Sequence, residues 1–159
     1  MTLALPSPIH LRVAARLLQA GAVIAYPTEG VWGLGCDPMN EAAVRRLLDL
    51  KQRSEAKGLI IIAGCMQQVE GWLTELSPAQ RAACSATWPG PYTWVVPAES
   101  APQWLRGNHD SVAVRVTAHP GVQALCHVFG GALVSTSANV SGKPPARDAL
   151  ALRQQFGRG

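Results

Sequence analysis

The chain has 159 residues, of which 48% are hydrophobic and 15% are charged. A chain of this length and apolar content can bury a core large enough for one domain, which excludes an intrinsically disordered protein and a scaffold held only by disulfides or metals. The formal charge of +4 favours an anionic ligand, whether nucleotide, phosphate or RNA, without choosing among them.

The sequence predicts a cytoplasmic protein without a membrane segment. No apolar run approaches the length of a bilayer span, and the N-terminus lacks a basic segment followed by an apolar core. The four cysteines are widely spaced, so we expect reduced thiols that are mostly buried as small apolar groups. The histidines show no zinc spacing, and no structural metal is predicted.

The first predicted helix begins after Ser7, which can cap it, with Pro8 at its first position, and it stops at Gly21. Its predicted apolar stripe consists of Leu11, Ala14, Leu17 and Leu18. A short apolar run over residues 22–26 then predicts a buried strand, and we expect a glycine-containing loop from there to Pro38.

Thr28 and Glu29 lie where this strand passes into the loop. Ligands of open α/β sheets bind beyond the carboxyl ends of strands, where glycines allow a close approach of the backbone. The glycines at 30, 33 and 35 run G-x-x-G-x-G, the reverse of the dinucleotide fingerprint, so a Rossmann site is excluded. The stretch fits equally a ligand site and a tight connection whose polar residues satisfy the turn backbone.

Asn40 is predicted to cap a second helix, whose C-terminal end carries Lys51 and Arg53. Cations at this position also complement the helix dipole. The remaining predicted elements are a strand at 59–63, a weakly signalled helix to 76, a helix at 77–87, a turn at 88–91, strands at 92–96, 112–116 and 132–136, a loop at 98–110, and helices at 120–129 and 147–156. This alternation predicts an α/β fold, a single-domain twisted mixed sheet of at least five strands, parallel in places and flanked by helices.

Polar side chains within the predicted strands are the candidates for chemistry. Arg115 interrupts an apolar run, and a buried guanidinium requires an anion, which a bound carboxylate or phosphate or a structural ion pair supplies equally well. Hydroxyl and amide groups follow the strand at 132–136, where they suit a polyanion, a ribose or a capped turn. No nucleophile–base pair is visible, which leaves charge stabilisation by Lys51, Arg53 and a bound metal, as in nucleotidyl transfer.

Seven motifs occur along the chain in a fixed order: Tyr26-Pro27-Thr28-Glu29, Gly33-Leu34-Gly35-Cys36-Asp37-Pro38, Leu50-Lys51-Gln52-Arg53, Lys57-Gly58-Leu59-Ile60, Trp88-Pro89-Gly90-Pro91, Val112-Ala113-Val114-Arg115 and Ser135-Thr136-Ser137-Ala138-Asn139-Val140-Ser141-Gly142. Together they resemble the YrdC-like family of threonylcarbamoyl-AMP synthases in its bacterial short form. The resemblance implies a nucleotidyltransferase that makes L-threonylcarbamoyladenylate and pyrophosphate from L-threonine, bicarbonate or CO2, and ATP with Mg²⁺. It also implies a large basic cavity and a product used for the threonylcarbamoyl modification of tRNA adenosine.

The resemblance also implies roles for individual residues. Lys51 and Arg53 would be catalytic and would face the ATP phosphates. The nucleotide contacts would be Lys51, Arg53, Thr93, Ser137 and Asn139. The threonine site would consist of Thr28, Arg115 and Ser135, with Arg115 pairing the substrate carboxylate. No protein side chain is implied as a metal ligand, and the general base stays open among the substrate carboxylate, water and Glu29.

The family pattern usually continues about thirty residues further than Gly159, so the predicted domain at 1–159 is expected to lack that segment. The downstream partners would be proteins that transfer the threonylcarbamoyl group. A second interpretation is a non-catalytic module that binds tRNA or double-stranded RNA through the basic cavity. A third is the related domain of hydrogenase-maturation proteins, against which the absence of acylphosphatase and zinc-finger portions argues.

Overall fold

Six strands form one mixed sheet in the computed structural model, which describes residues 5–157. The strands are β1 (Ile24–Pro27), β2 (Trp32–Cys36), β3 (Ile60–Ala63), β4 (Trp94–Pro97), β5 (Ser111–Val116) and β6 (Leu133–Ser137). Their order across the sheet is β1-β2-β6-β3-β5-β4. Of the five pairings, β3 with β5 is parallel and the other four are antiparallel, so the predicted mixed sheet is confirmed.

The helices are α1 (Pro8–Gln19), α2 (Glu41–Lys51), α3 (Pro78–Thr87), α4 (Gln103–Arg106), α5 (Pro120–Phe129) and α6 (Ala149–Phe156). The predicted caps are present, because the side chains of Ser7 and Asn40 accept hydrogen bonds from backbone N–H groups of the first turns. The predicted helix before residue 76 is wrong. Two 3-10 turns, Met66–Gln68 and Glu70–Trp72, stand there because no side chain caps either turn and Gly71 weakens helix formation. None of the helices in the described range is long and apolar enough to cross a bilayer.

The prediction of a loop from the end of the first strand to Pro38 is also wrong, because the strand β2 lies within it at Trp32–Cys36. Its glycines are required by packing: a Cβ at Gly35 would lie 2.5 Å from the carbonyl oxygen of Val134 and 2.9 Å from the ring of Tyr26. A Cβ at Gly33 would lie 3.1 Å from the same ring. The tyrosine ring therefore lies flat across β2, and β1 and β2 form a hairpin.

The stripe predicted on α1 is correct only in part. Leu18 is fully buried and Ala15 is nearly so, but Leu17 is 47% exposed. Leu17 instead lines an open apolar cleft next to Ile24 of the edge strand β1. A sheet covers less of the apolar face of a helix packed at its margin than of a helix packed above its centre.

Two apolar cores lie on opposite faces of the sheet. The larger core contains residues of α2, α3 and α4, while the smaller one joins α1 and α5 to the sheet through Leu18, Leu133 and Leu125. Along β5 the side chains alternate, so Val112, Val114 and Val116 are buried, whereas Ser111, Ala113 and Arg115 lie on the face of the smaller core and are only half-buried. Part of that face is left uncovered, and the candidate site lies there.

Candidate functional site

A cleft of about 540 Å³, here called the main cleft, occupies the uncovered part of the sheet. Its floor follows the strand register, since Ser135 of β6 pairs with Gly35 on one side and with Ile60 on the other. Its walls are the turn after β1, the turn at Gly90 and Pro91, and the end of β6. Of the predicted site residues, the main cleft brings together Thr28, Arg115, Ser135 and Ser137.

Arg115 places a guanidinium in the main cleft, where it has no hydrogen-bond partner among the described residues. Its Nε is buried and makes no hydrogen bond, and the ion pairs within the described residues involve other arginines, Arg45 and Arg106. Arg115 therefore forms no structural ion pair within residues 5–157. This half-buried cation is available for an anion that enters the cleft.

The hydroxyl groups beside Arg115 are oriented by neighbouring groups. Tyr26 donates a hydrogen bond to Ser135 Oγ at 2.9 Å, and burial raises the pKa of Tyr26 far above its ordinary value, so the phenol remains a donor. The proton of Ser135 Oγ is then free for another acceptor. Thr28 Oγ1 donates to the carbonyl oxygen of Val31 at 2.5 Å, which fixes the turn after β1.

Two further residues contribute to the site and were not assigned roles from sequence patterns. Tyr26 orients Ser135, and the signal for it was a tyrosine in a buried strand, whose hydroxyl needs a partner. Thr117 is 1% exposed and donates to Glu29 Oε1 at 3.3 Å, which holds this carboxylate at the rim of the main cleft.

Lys51 lies behind the main cleft and is not among the residues that line it. Its Nζ donates to the carbonyl oxygens of Ser137 and Asn139, the latter at 2.8 Å, and to Asn139 Oδ1 at 3.4 Å. Burial, together with the charge of Arg53, lowers the pKa of Lys51 to about 8. Lys51, Ser137 and Asn139 are thus brought together, as the motif pattern predicts, but the ammonium is directed at the loop after β6.

A smaller recess of about 250 Å³, here called the basic recess, adjoins the main cleft, and Ile60 lines both. Its cationic lining consists of Arg53, Lys57 and Arg106, with His109 beside them. Arg53 Nη2 donates to the carbonyl oxygen of Gly58 at 3.1 Å, while Arg53 Nε is buried without a partner. Within the described residues the recess has no acidic lining, so it suits an anion.

Thr93 is the predicted site residue that the structure does not bring to the others. It is exposed, directly precedes β4, and is absent from the linings of both the main cleft and the basic recess. Its assignment as a nucleotide contact stays a prediction.

Comparison with known proteins shows which family this chain is related to. A family model for the Sua5, YciO and YrdC proteins, described as telomere recombination, matches residues 16–159. The chain is 56% identical over 153 residues to the threonylcarbamoyl-AMP synthase of Methylococcus capsulatus, a match that covers 96% of this chain and 82% of the relative. It is 57% identical over 145 residues to the synthase of Chromohalobacter salexigens, covering 91% and 78%.

Solved structures agree with this relationship. The structure of P. abyssi Sua5 complexed with L-threonine has a TM-score of 0.85 and 34% identity, and the match covers 93% of this chain but 44% of that one. E. coli YciO, at a TM-score of 0.82 and 20% identity, shows the same fold. The chain spans about half of the Sua5 polypeptides it matches. The protein belongs to the Sua5/YciO/YrdC family, and the resemblance inferred from the seven motifs is confirmed.

Proposed function

We propose that this protein is a threonylcarbamoyl-AMP synthase, a nucleotidyltransferase that converts L-threonine, bicarbonate or CO2, and ATP into L-threonylcarbamoyladenylate and pyrophosphate. The observation that carries the proposal is the guanidinium of Arg115, whose Nε has no partner among the described residues, in a cleft lined by hydroxyl groups and joined to a basic recess. Relatives at more than half identity with this name, and a related structure that contains L-threonine, support it.

In this proposal L-threonine occupies the main cleft. Arg115 forms charge-assisted hydrogen bonds with the substrate carboxylate, which supplies the anion that the half-buried guanidinium lacks among the described residues. Ser135 and Thr28 lie close enough in the same cleft to recognise the other polar groups of the amino acid. Because Ser135 Oγ accepts a hydrogen bond from Tyr26, the serine hydroxyl can donate its own hydrogen bond to a substrate oxygen.

ATP would extend its phosphates toward the basic recess, where Arg53 and Lys57 lower the repulsion between anions. Mg²⁺ would enter with the nucleotide. The described residues contain no cluster of three or more His, Cys, Asp or Glu side chains that could hold a metal ion. In this proposal the ion would be carried mainly by substrate phosphates and water. Its chemistry there is to offset the charge of the phosphates.

The proposed reaction has two bond-forming steps. The threonine ammonium first loses a proton. The neutral amine then attacks CO2 and releases a second proton, or attacks the carbon of bicarbonate with loss of water, and either route gives a carbamate. A carbamate oxygen then attacks the α-phosphorus of ATP, and the bond to the leaving pyrophosphate breaks. Both partners of the second step are anions, so the arginines at the two ends of the site bring them together. Glu29, at the rim, is our candidate for the group that accepts the amine proton.

The test is pyrophosphate release by the 159-residue chain with ATP and Mg²⁺, in the presence and absence of L-threonine and bicarbonate. We expect release that requires both co-substrates and is strongly reduced in Arg53→Ala. Arg12→Ala, which removes a charge on α1, is the matched control and should leave the rate unchanged. Salt-sensitive RNA binding by a folded chain without pyrophosphate release would instead support the RNA-binding interpretation.

A further inference from the structure

A buried threonine lies next to the carboxylate of Glu29. Thr117 directly follows β5, stands outside the seven motifs and is 1% exposed. Its backbone N–H donates to the carbonyl oxygen of Ala63 at 3.0 Å, and its carbonyl oxygen accepts a hydrogen bond from Gln123 Nε2 at 2.9 Å. Neither of these partners lines the main cleft. The position of Thr117 is therefore set by β3 and α5, which belong to the framework of the fold.

The hydroxyl proton of Thr117 is directed at Glu29. Thr117 Oγ1 accepts a hydrogen bond from the backbone N–H of His119 at 3.0 Å and donates to Glu29 Oε1 at 3.3 Å. A threonine hydroxyl has a single proton, so the framework orients the donor and the donor orients the carboxylate. The ion pairs within residues 5–157 do not include Glu29. The carboxylate is thus held in place without a cationic partner from the described chain.

Glu29 and Arg115 therefore place opposite charges in one cleft without forming an ion pair with each other. Arg115 lies two residues before Thr117, a distance of about 6.6 Å along an extended strand. The guanidinium and the anchor of the carboxylate consequently come from neighbouring points of the main cleft. A zwitterionic α-amino acid has an ammonium and a carboxylate on one carbon atom, so a single molecule can contact both charges.

Given the proposed function, we infer that Thr117 is a positioning residue, which holds the Glu29 carboxylate where it receives the ammonium of L-threonine while Arg115 receives the substrate carboxylate. Thr117 contacts Glu29 and not the substrate. Without its hydroxyl the carboxylate is free to rotate, and the ammonium loses a partner that was oriented in advance. The pair of residues thereby distinguishes an amino acid from an α-hydroxy acid of the same shape.

Calorimetric titration with L-threonine in the absence of ATP tests the inference. Thr117→Val, which removes the hydroxyl, should weaken binding about fivefold, and Thr117→Ser, which keeps it, should stay within about twofold of the wild type. The matched control is Thr87→Val. Thr87 Oγ1 also joins two groups, since it donates to the carbonyl oxygen of Cys84 and accepts from Trp94 Nε1, both at 2.9 Å, but it lies outside the main cleft. The control should leave threonine binding unchanged.

A ligand without the ammonium separates positioning from a general loss of stability. The probe is the α-hydroxy acid in which a hydroxyl replaces the ammonium of L-threonine. We expect the wild type to prefer L-threonine about tenfold, and Thr117→Val and Glu29→Gln each to reduce that preference to about threefold. The double variant should show no further reduction, because the two residues act as one unit. Thr117→Ala gives the same comparison if Thr117→Val does not fold.

The outcomes distinguish this inference from the proposed function. A preference for L-threonine that Thr117→Val leaves unchanged would overturn the positioning role, even if the affinity itself falls. The same result would leave the proposed function standing, since the wild type still binds its amino acid. A wild-type chain that binds neither ligand would overturn both.

Discussion

Replacing Arg115 by methionine should separate ligand binding from stability. The methionine keeps much of the apolar stem of the arginine and removes the guanidinium, whose Nε is buried without a hydrogen bond. If the guanidinium exists to bind a carboxylate, its removal weakens L-threonine binding. If it exists to support the fold, its removal weakens the fold.

The size of the binding loss follows from the type of contact. A charge-assisted hydrogen bond contributes about 1.5–3 kcal/mol, and Arg115 is half-buried, so we take about 2 kcal/mol, or about a thirtyfold loss of affinity. Arg115→Lys keeps the charge but loses the planar fork, so its affinity for L-threonine should lie between those of the wild type and Arg115→Met. Calorimetric titration with L-threonine measures both variants.

The effect on stability should be small or favourable. A buried, unpartnered N–H costs about 1–3 kcal/mol, so Arg115→Met is expected to keep or raise the free energy of unfolding, as measured by urea denaturation. A clear drop in that free energy with unchanged threonine affinity would refute the assignment of Arg115 to the substrate. Such a result would mean that Arg115 is part of the core packing.

Three further predictions concern the surroundings of the site. Gly35→Ala should lower the free energy of unfolding by about 1–3 kcal/mol, because the new methyl group meets the backbone of Val134. The control is Gly71→Ala, whose methyl group meets nothing within 4 Å and should leave that free energy unchanged. Urea denaturation compares the two variants, and equal effects would contradict the packing argument. The wild-type protein should lose stability above about pH 10, because the raised pKa of the buried phenol of Tyr26 means that only the unfolded state ionises there. Tyr26→Phe should remove part of that loss. Identical profiles of the free energy of unfolding against pH for the two proteins would contradict this prediction. Among the four cysteines, the exposed Cys65 alone should react rapidly with a thiol reagent, because the other three are buried; a second fast thiol would show that one of them opens.

Helix boundaries were predictable because their signals are local. The helix α5 starts at Pro120 and ends at Phe129, as predicted, and α1 and α2 begin after the capping residues Ser7 and Asn40. A cap is a contact between residues three positions apart, so the sequence alone contains it. The same applies to the apolar runs of β3 and β5, which differ from the prediction by one residue at most at each end.

Contacts between distant residues were not predictable in this way. The sequence predicts a loop where β2 lies because this strand contains two glycines. Those glycines are required by the ring of Tyr26 and the backbone of Val134, which belong to other strands. The direction of the Lys51 side chain depends on a loop 86 residues further along the chain. The seven motifs nevertheless contain most of the residues that meet in the site. Their order along the chain is specific enough to identify them, although it does not predict how they are arranged in space.

The position of β6 in the sheet has a consequence for how the chain folds. It is the last strand of the described chain, yet it lies between β2 and β3 and is the strand that joins the β1–β2 hairpin to the β3–β5–β4 group. Until residues 133–137 are available, β2 and β3 each keep an unpaired edge. During synthesis the sheet is therefore completed late, by insertion of a strand into a gap and not by addition at an edge, and such long-range pairing is slow. The same insertion brings Ser135 beside Tyr26, so the protein acquires its site and its continuous sheet in a single folding event.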